Sequence, residues 1–118
     1  MTRKSGIVEP SAEDQKIIML ARATKARVAA PEGAAVRDET GRSYAAAAVA
    51  LPSLRLSALR LAVAMAASSG ATRLEAAAVV SDTGELDPAD VAVVRDLGPT
   101  AVVYHAGPDG AVRRALTP

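Results

Sequence analysis

The chain has 118 residues, 50% hydrophobic and 23% charged, a length and balance that fit one folded domain and exclude a disordered chain. A formal net charge of +1 gives no strong field to draw in nucleic acid or an anionic membrane, and the only aromatics are Tyr44 and Tyr104, so stacking platforms for bases are nearly absent. With no cysteine and one histidine, His105, the chain has no disulfide, no thiolate nucleophile and too few nitrogen or sulfur donors for a typical zinc site within one chain.

Residues 1–10 read as a loose arm. Met1-Thr2-Arg3-Lys4 is followed by no apolar stretch, because Glu9, Glu13 and Asp14 interrupt it, so no secretory leader is expected. No apolar run approaches the ~18 residues of a membrane span. A cytoplasmic protein with a single domain over residues 11–118 is the expectation.

Ser11-Ala12-Glu13-Asp14 has the form of a helix cap with acids in the first turn. Ile17, Ile18, Leu20 and Ala21 then mark the apolar stripe of a first helix, which ends near Val28 before Pro31. Ala34-Ala35-Val36, the turn Asp38-Glu39-Thr40-Gly41 and a strand from Arg42 to Leu51 together read as a hairpin. Pro52-Ser53 opens a second helix, which Gly70 stops. From Leu61 to Ala67 that helix is apolar all round, the mark of burial in the fold or in a subunit contact. Leu74 to Val80 reads as a buried strand, and Asp82-Thr83-Gly84 turns the chain. Asp87 caps a third helix with Pro88 in its first turn, and Leu97-Gly98-Pro99 ends it. Thr100 to Tyr104 is a further strand, and Pro108-Asp109-Gly110 leads to a short edge strand at Ala111 to Arg113. The order α-β-β-α-β-α-β, with that edge strand after it, implies a layered α/β domain with a mixed sheet.

Several short segments, in order, resemble the cytidine deaminase family. Pro31-Glu32-Gly33-Ala34-Ala35-Val36 and Asp38-Glu39-Thr40-Gly41-Arg42 are similar to its Pro-Val-Gly-Ala-Ala strand and Asp-Gly-Arg turn. Leu56-Ser57-Ala58-Leu59-Arg60 falls where the family has Ile-Cys-Ala-Glu-Arg. Ala77 to Asp82 resembles the strand before its second metal motif, and Pro88 to Leu97 matches Pro-Cys-Gly-Ala-Cys-Arg-Gln-Val-Leu in length and helix position. The resemblance runs from about Gly33 to the end of the chain. It implies a three-layer αβα fold with a mixed sheet of four to five strands.

Carried over residue by residue, the resemblance puts the family's metal-binding cysteines on Ser57, Ala89 and Ala92 and its proton-shuttling glutamate on Leu59. Alanine methyls cannot hold zinc, a neutral serine is a poor ligand, and a leucine moves no proton. The ribose-contacting Asn-x-Glu falls near Ala48-Val49-Ala50. Arg60 alone keeps its family identity. In the family the equivalent arginine moderates the charge of the thiolate cluster, so here Arg60 needs a different partner.

Other chemistry is thinner. His105, at a strand end, has no Ser–His–Asp context and reads as a loop histidine. Ser57 has no Gly-x-Ser-x-Gly elbow to make it a nucleophile. Asp82-Thr83-Gly84 reads as a turn rather than an aspartic protease triplet, and Asp82, Glu85, Asp87 and Asp90 as caps and loop acids rather than a Mg²⁺ site. Arg3, Lys4, Lys25, Arg27, Arg113 and Arg114 read as scattered surface charge. The expectation is a catalytically inactive cytidine deaminase-like protein with no metal and no cofactor, acting as an interaction or scaffold module. Its expected assembly is a homo-dimer or homo-tetramer, with no nucleic acid and no membrane partner. The alternative is a nucleotide or anion binder using Ser57 and Arg60 at two helix N-termini. A working cytidine deaminase, a hydrolase, is the third reading.

Overall fold

Alternation along the strands decides the layering. In the central strand Ala76, Ala78 and Val80 pack with Ile17, Ile18 and Ala21, whereas Ala77 and Val79 pack with Leu59, Ala62, Val63 and Val94. Successive side chains of a strand point to opposite faces, so this strand is covered on both. The computed structural model describes residues 9–117. They form α1 (Ala12–Val28), β1 (Glu32–Asp38), β2 (Ser43–Ala47), β3 (Val49–Leu51), β4 (Leu54–Leu56), α2 (Ala58–Ser68), β5 (Leu74–Ser81), α3 (Pro88–Leu97), β6 (Val102–Ala106) and β7 (Val112–Leu116). Five strands make one mixed sheet in the order β2-β1-β5-β6-β7, with β5 and β6 parallel and the other neighbours antiparallel. Helix α1 covers one face and α2 with α3 the other, which is the three-layer α/β architecture expected from the sequence.

Local chemistry fixes the ends of these elements. Ser11 caps α1 by accepting the Asp14 N–H at 3.1 Å. The same Asp14 ties the helix to the sheet: Tyr104 Oη donates to its Oδ2, and Arg37 Nη2 lies 2.9 Å from its Oδ1. Gly33 lets α1 lie directly on β1, because a Cβ there would sit 2.3 Å from the Ala21 carbonyl oxygen. Asp38 ends β1 and organises the turn after it. Its carboxylate accepts from Thr40 N at 2.9 Å, Thr40 Oγ1 at 2.7 Å, Arg42 N at 3.0 Å and Tyr44 Oη at 2.8 Å.

The edge strand expected at Ala111 to Arg113 runs instead as β7, Val112–Leu116, and two other expected boundaries shift. The segment expected as the end of a strand and the start of a helix is a separate hairpin, β3 with β4, in which Leu51 faces Leu54. Pro52-Ser53 forms its two-residue turn instead of opening α2, and α2 begins six residues later behind Ser57. The alternation Leu54-Arg55-Leu56 carries strand period through a stretch read as helix, and Ser57 is the stronger cap. Strand β6 runs from Val102 to Ala106 rather than Thr100 to Tyr104, because Gly98 to Ala101 is spent on a turn closed by Ala101 N to Gly98 O at 3.1 Å. Among the described residues no helix is long and apolar enough to cross a membrane.

Candidate functional site

The N-termini of α2 and α3 carry every position to which the family resemblance assigns metal chemistry. At α2, Ser57 is extended and its Oγ accepts the Arg60 N–H at 3.1 Å. Glu32 reaches over from the start of β1, and its Oε1 accepts the Ala58 N–H at 2.8 Å. Leu61 N bonds back to the Ser57 carbonyl at 3.1 Å. At α3, Asp87 Oδ1 accepts the Ala89 N–H at 2.9 Å, and the Asp87 carbonyl accepts from Asp90 N at 2.9 Å and Val91 N at 3.3 Å. Pro88 has no N–H to satisfy. Donors that a helix start usually leaves for water or a ligand are thus largely taken by the chain itself.

Arg60 and Asp90 join the two helices. Both stand three residues past their caps, and Arg60 Nε lies 3.0 Å from Asp90 Oδ1. The Nε–H is not aligned for a hydrogen bond, so the contact is ionic. The Asp90 side chain is 10% exposed and that of Arg60 42%. This answers what Arg60 partners in the absence of thiolates.

The remaining positions carry little polar chemistry. Leu59 is 1% exposed and packed in the core between α2 and the sheet. Ala89 is at the surface and Ala92 is half-buried. Ala48 lies between β2 and β3 and Ala50 on β3, where methyl groups offer a sugar no hydrogen bond. A zinc ion needs three or four nitrogen, sulfur or carboxylate donors converging on one point. The only side-chain oxygen among the three ligand positions, Ser57 Oγ, already caps a helix, and the described residues hold no group of three or more His, Cys, Asp or Glu that could bind a metal. The residues present do not fit zinc.

His105 is not on a loop. It is 1% exposed inside β6, and its Nε2 lies 2.7 Å from Ser81 Oγ at the end of β5. Burial pushes its pKa below the usual histidine value, and the charges of Arg113 and Arg114 push the same way. Ser81 also bonds to the Thr83 carbonyl at 3.2 Å, which in turn accepts from Arg113 Nη1 at 2.8 Å. Ser81 is 2% exposed, so this pair fastens the end of the central strand to β6 and presents no accessible nucleophile.

Sequence reasoning missed Glu32 and Ser81, and it read Asp90 as a cap or loop acid. Glu32 carried a signal: it is an acid at the head of the apolar run Gly33 to Val36, where the family motif has valine. Ser81 carried none beyond standing last in a strand.

The family model described as cytidine deaminase-like matches residues 10–110. The comparison with curated protein sequences gives no match. Among solved structures, a cytidine deaminase from Burkholderia pseudomallei is similar with a TM-score of 0.76 and 26% identity, over 86% of this chain and 90% of that one. Cytidine deaminases from Mycobacterium leprae and Mycobacterium tuberculosis share the fold, with TM-scores of 0.68 and 0.62 and identities of 20% and 22%. The first covers 86% of this chain and 90% of its own, the second 81% and 88%. With the order of elements, the helix starts and a family match over nearly the whole described chain in agreement, the chain belongs to the cytidine deaminase-like family.

Proposed function

We propose that this chain is a cytidine deaminase-like protein without deaminase activity, working as a self-associating interaction module. The observation that carries the first half is Leu59. It stands at the proton-shuttling position, is buried in the core, and is flanked in space by helix starts whose ligand positions are Ser57, Ala89 and Ala92. None of these four side chains can bind a zinc-activated water or hand a proton to a ring nitrogen. Anion or nucleotide binding at Ser57 and Arg60 is the weaker reading. The N–H groups it would use are bonded, and the chain's own carboxylates Glu32, Asp87 and Asp90 stand at the two helix starts.

The outer side of α2 supports the second half. Ala64, Met65 and Ala67 are exposed on a helix that is apolar over most of its length. One shallow groove runs beside it against Tyr44 and Leu61, another against Val93 and Leu97. A second copy of this chain is the occupant we assign. Small side chains allow two helices close approach, and the rim carries both Arg60 and Asp96, so the face is complementary to itself in charge. The test is a paired assay on purified protein. Zinc-supplied protein is expected to leave cytidine unchanged and to sediment as a dimer or larger species. Steady conversion of cytidine contradicts the first half, and a monomer at micromolar concentration contradicts the second.

A further inference from the structure

We infer that the Arg60–Asp90 ion pair, with the Glu32 carboxylate on the α2 cap, is a metal-free clamp that holds the two helix starts where deaminase-like chains with a full ligand set bind an ion. The inference rests on the reading that this chain has no zinc. The positions flanking the missing ligands carry it. Where the family strand has valine this chain has Glu32, and where the second motif has glycine it has Asp90. Two acids enter at the site that lost its thiolates, and both are spent on α2: one bonds Ala58 N at 2.8 Å and the other meets Arg60 at 3.0 Å.

Electrostatics makes the pairing necessary. A helix N-terminus carries partial positive charge, so an arginine three residues past the α2 cap sits against the dipole, where a capping box would place a glutamate. Arg60 is tolerable there because Asp90 offsets it from the first turn of α3 and Glu32 supplies the missing acid from β1. Conversely, Asp90 is 7% exposed and needs a cation beside it. The pair also sets the spacing of α2 and α3 at the head of the groove that Arg60 shares with Val93 and Leu97.

A double-mutant cycle on the full chain tests the clamp, with Arg60→Gln, Asp90→Asn, the two together, and the charge swap Arg60→Asp with Asp90→Arg. The swap leaves one cation and one anion at equivalent helix positions, so helix-dipole effects cancel to first order, and the Glu32 carboxylate beside the new acid on α2 keeps the recovery short of complete. Each single change is expected to lower Tm by on the order of 5 °C, with the double change costing clearly less than the sum. The swap is expected to recover at least half of the loss. Additive losses with no recovery in the swap would overturn the clamp, whereas cytidine turnover and bound zinc are read on the unmodified chain, so the failure is separable from that of the proposed function. If a variant fails to fold, Arg60→Lys, which keeps the charge, decides: a smaller loss of Tm than Arg60→Gln gives, an advantage that Asp90→Asn removes, supports the clamp, and equal losses in both backgrounds overturn it.

Discussion

Glu32 Oε1 accepts the Ala58 N–H at 2.8 Å, so β1 caps the helix that carries Leu59 at the family's proton-shuttling position. A charge-assisted bond to a half-buried helix start is worth about 1–2 kcal/mol. Glu32→Ala is expected to lower unfolding free energy by about that amount, and Glu32→Gln by less, measured by urea denaturation. The same bond predicts what ligands do. Millimolar phosphate or cytidine monophosphate is expected to leave Tm unchanged, whereas a rise of several degrees that Arg60→Ala abolishes would revive anion binding.

The buried Asp38 carboxylate accepts from four separate donors. Burial alone would raise its pKa. The Thr40 hydroxyl, Tyr44 and the backbone N–H groups of Thr40 and Arg42 outweigh that, and hold it at about 2 against an ordinary value of 3.8. A carboxyl with a lowered folded-state pKa stabilises the protein above its unfolded pKa, and that stability is lost as pH falls through the folded value. The contribution is therefore expected to be complete above about pH 4 and to disappear toward pH 2. Asp38→Ala strands the Tyr44 hydroxyl and is expected to cost about 2 kcal/mol or more at pH 7. An acid titration of Tm for both proteins checks this: the gap between them should close as pH approaches 2.

His105 titrates in a different window. Its pKa is lowered from 6.5 by burial first, then by Arg113 and Arg114. The unfolded chain therefore takes up a proton at a higher pH than the folded chain does, so the stability this histidine contributes is present above its ordinary value of 6.5 and is lost as pH falls below it. Thermal melts between pH 7.5 and 5 are expected to show that fall. In His105→Asn the slope across this window is expected to flatten, even though the starting Tm is lower because Ser81 loses its partner.

Much of this fold can be read from residues one at a time. Ser11, Asp87 with Pro88, and the Gly70 stop mark helix ends because their chemistry is local. The β3–β4 hairpin is hidden because Pro52-Ser53 suits a helix start as well as a tight turn, and only pairing of Leu51 with Leu54 decides between them. The candidate site is legible in what its residue types lack: Ser57, Leu59, Ala89 and Ala92 bring no thiolate and no carboxylate to the positions where the family has them. What it contains is not legible. Arg60 and Asp90 are 30 residues apart in sequence, and Glu32 and Ala58 are 26. Such pairings exist only once the sheet has brought the helix starts together. His105 likewise reads as a loop residue until β6 is extended to Ala106.

The exposed side of α2 yields a prediction that separates assembly from folding. Ala64 and Met65 face solvent in the single chain, so a charge there costs the monomer little, within about 0.5 kcal/mol. In a helix-to-helix contact the same charge is buried without a partner. Ala64→Glu is expected to shift the sedimenting species to monomer without loss of helical signal. An unchanged oligomer would move the contact to another face.

The central claim is that this deaminase-like chain has no place for zinc. The most direct test is native mass spectrometry of protein purified after growth in zinc-rich medium, with the metal counted per chain. The control is the triple change Ser57→Cys, Ala89→Cys and Ala92→Cys, which restores the thiolates and is expected to recover zinc. The expected result for the unmodified chain is its bare mass, with no stoichiometric metal. One zinc per chain, retained through purification, would contradict it.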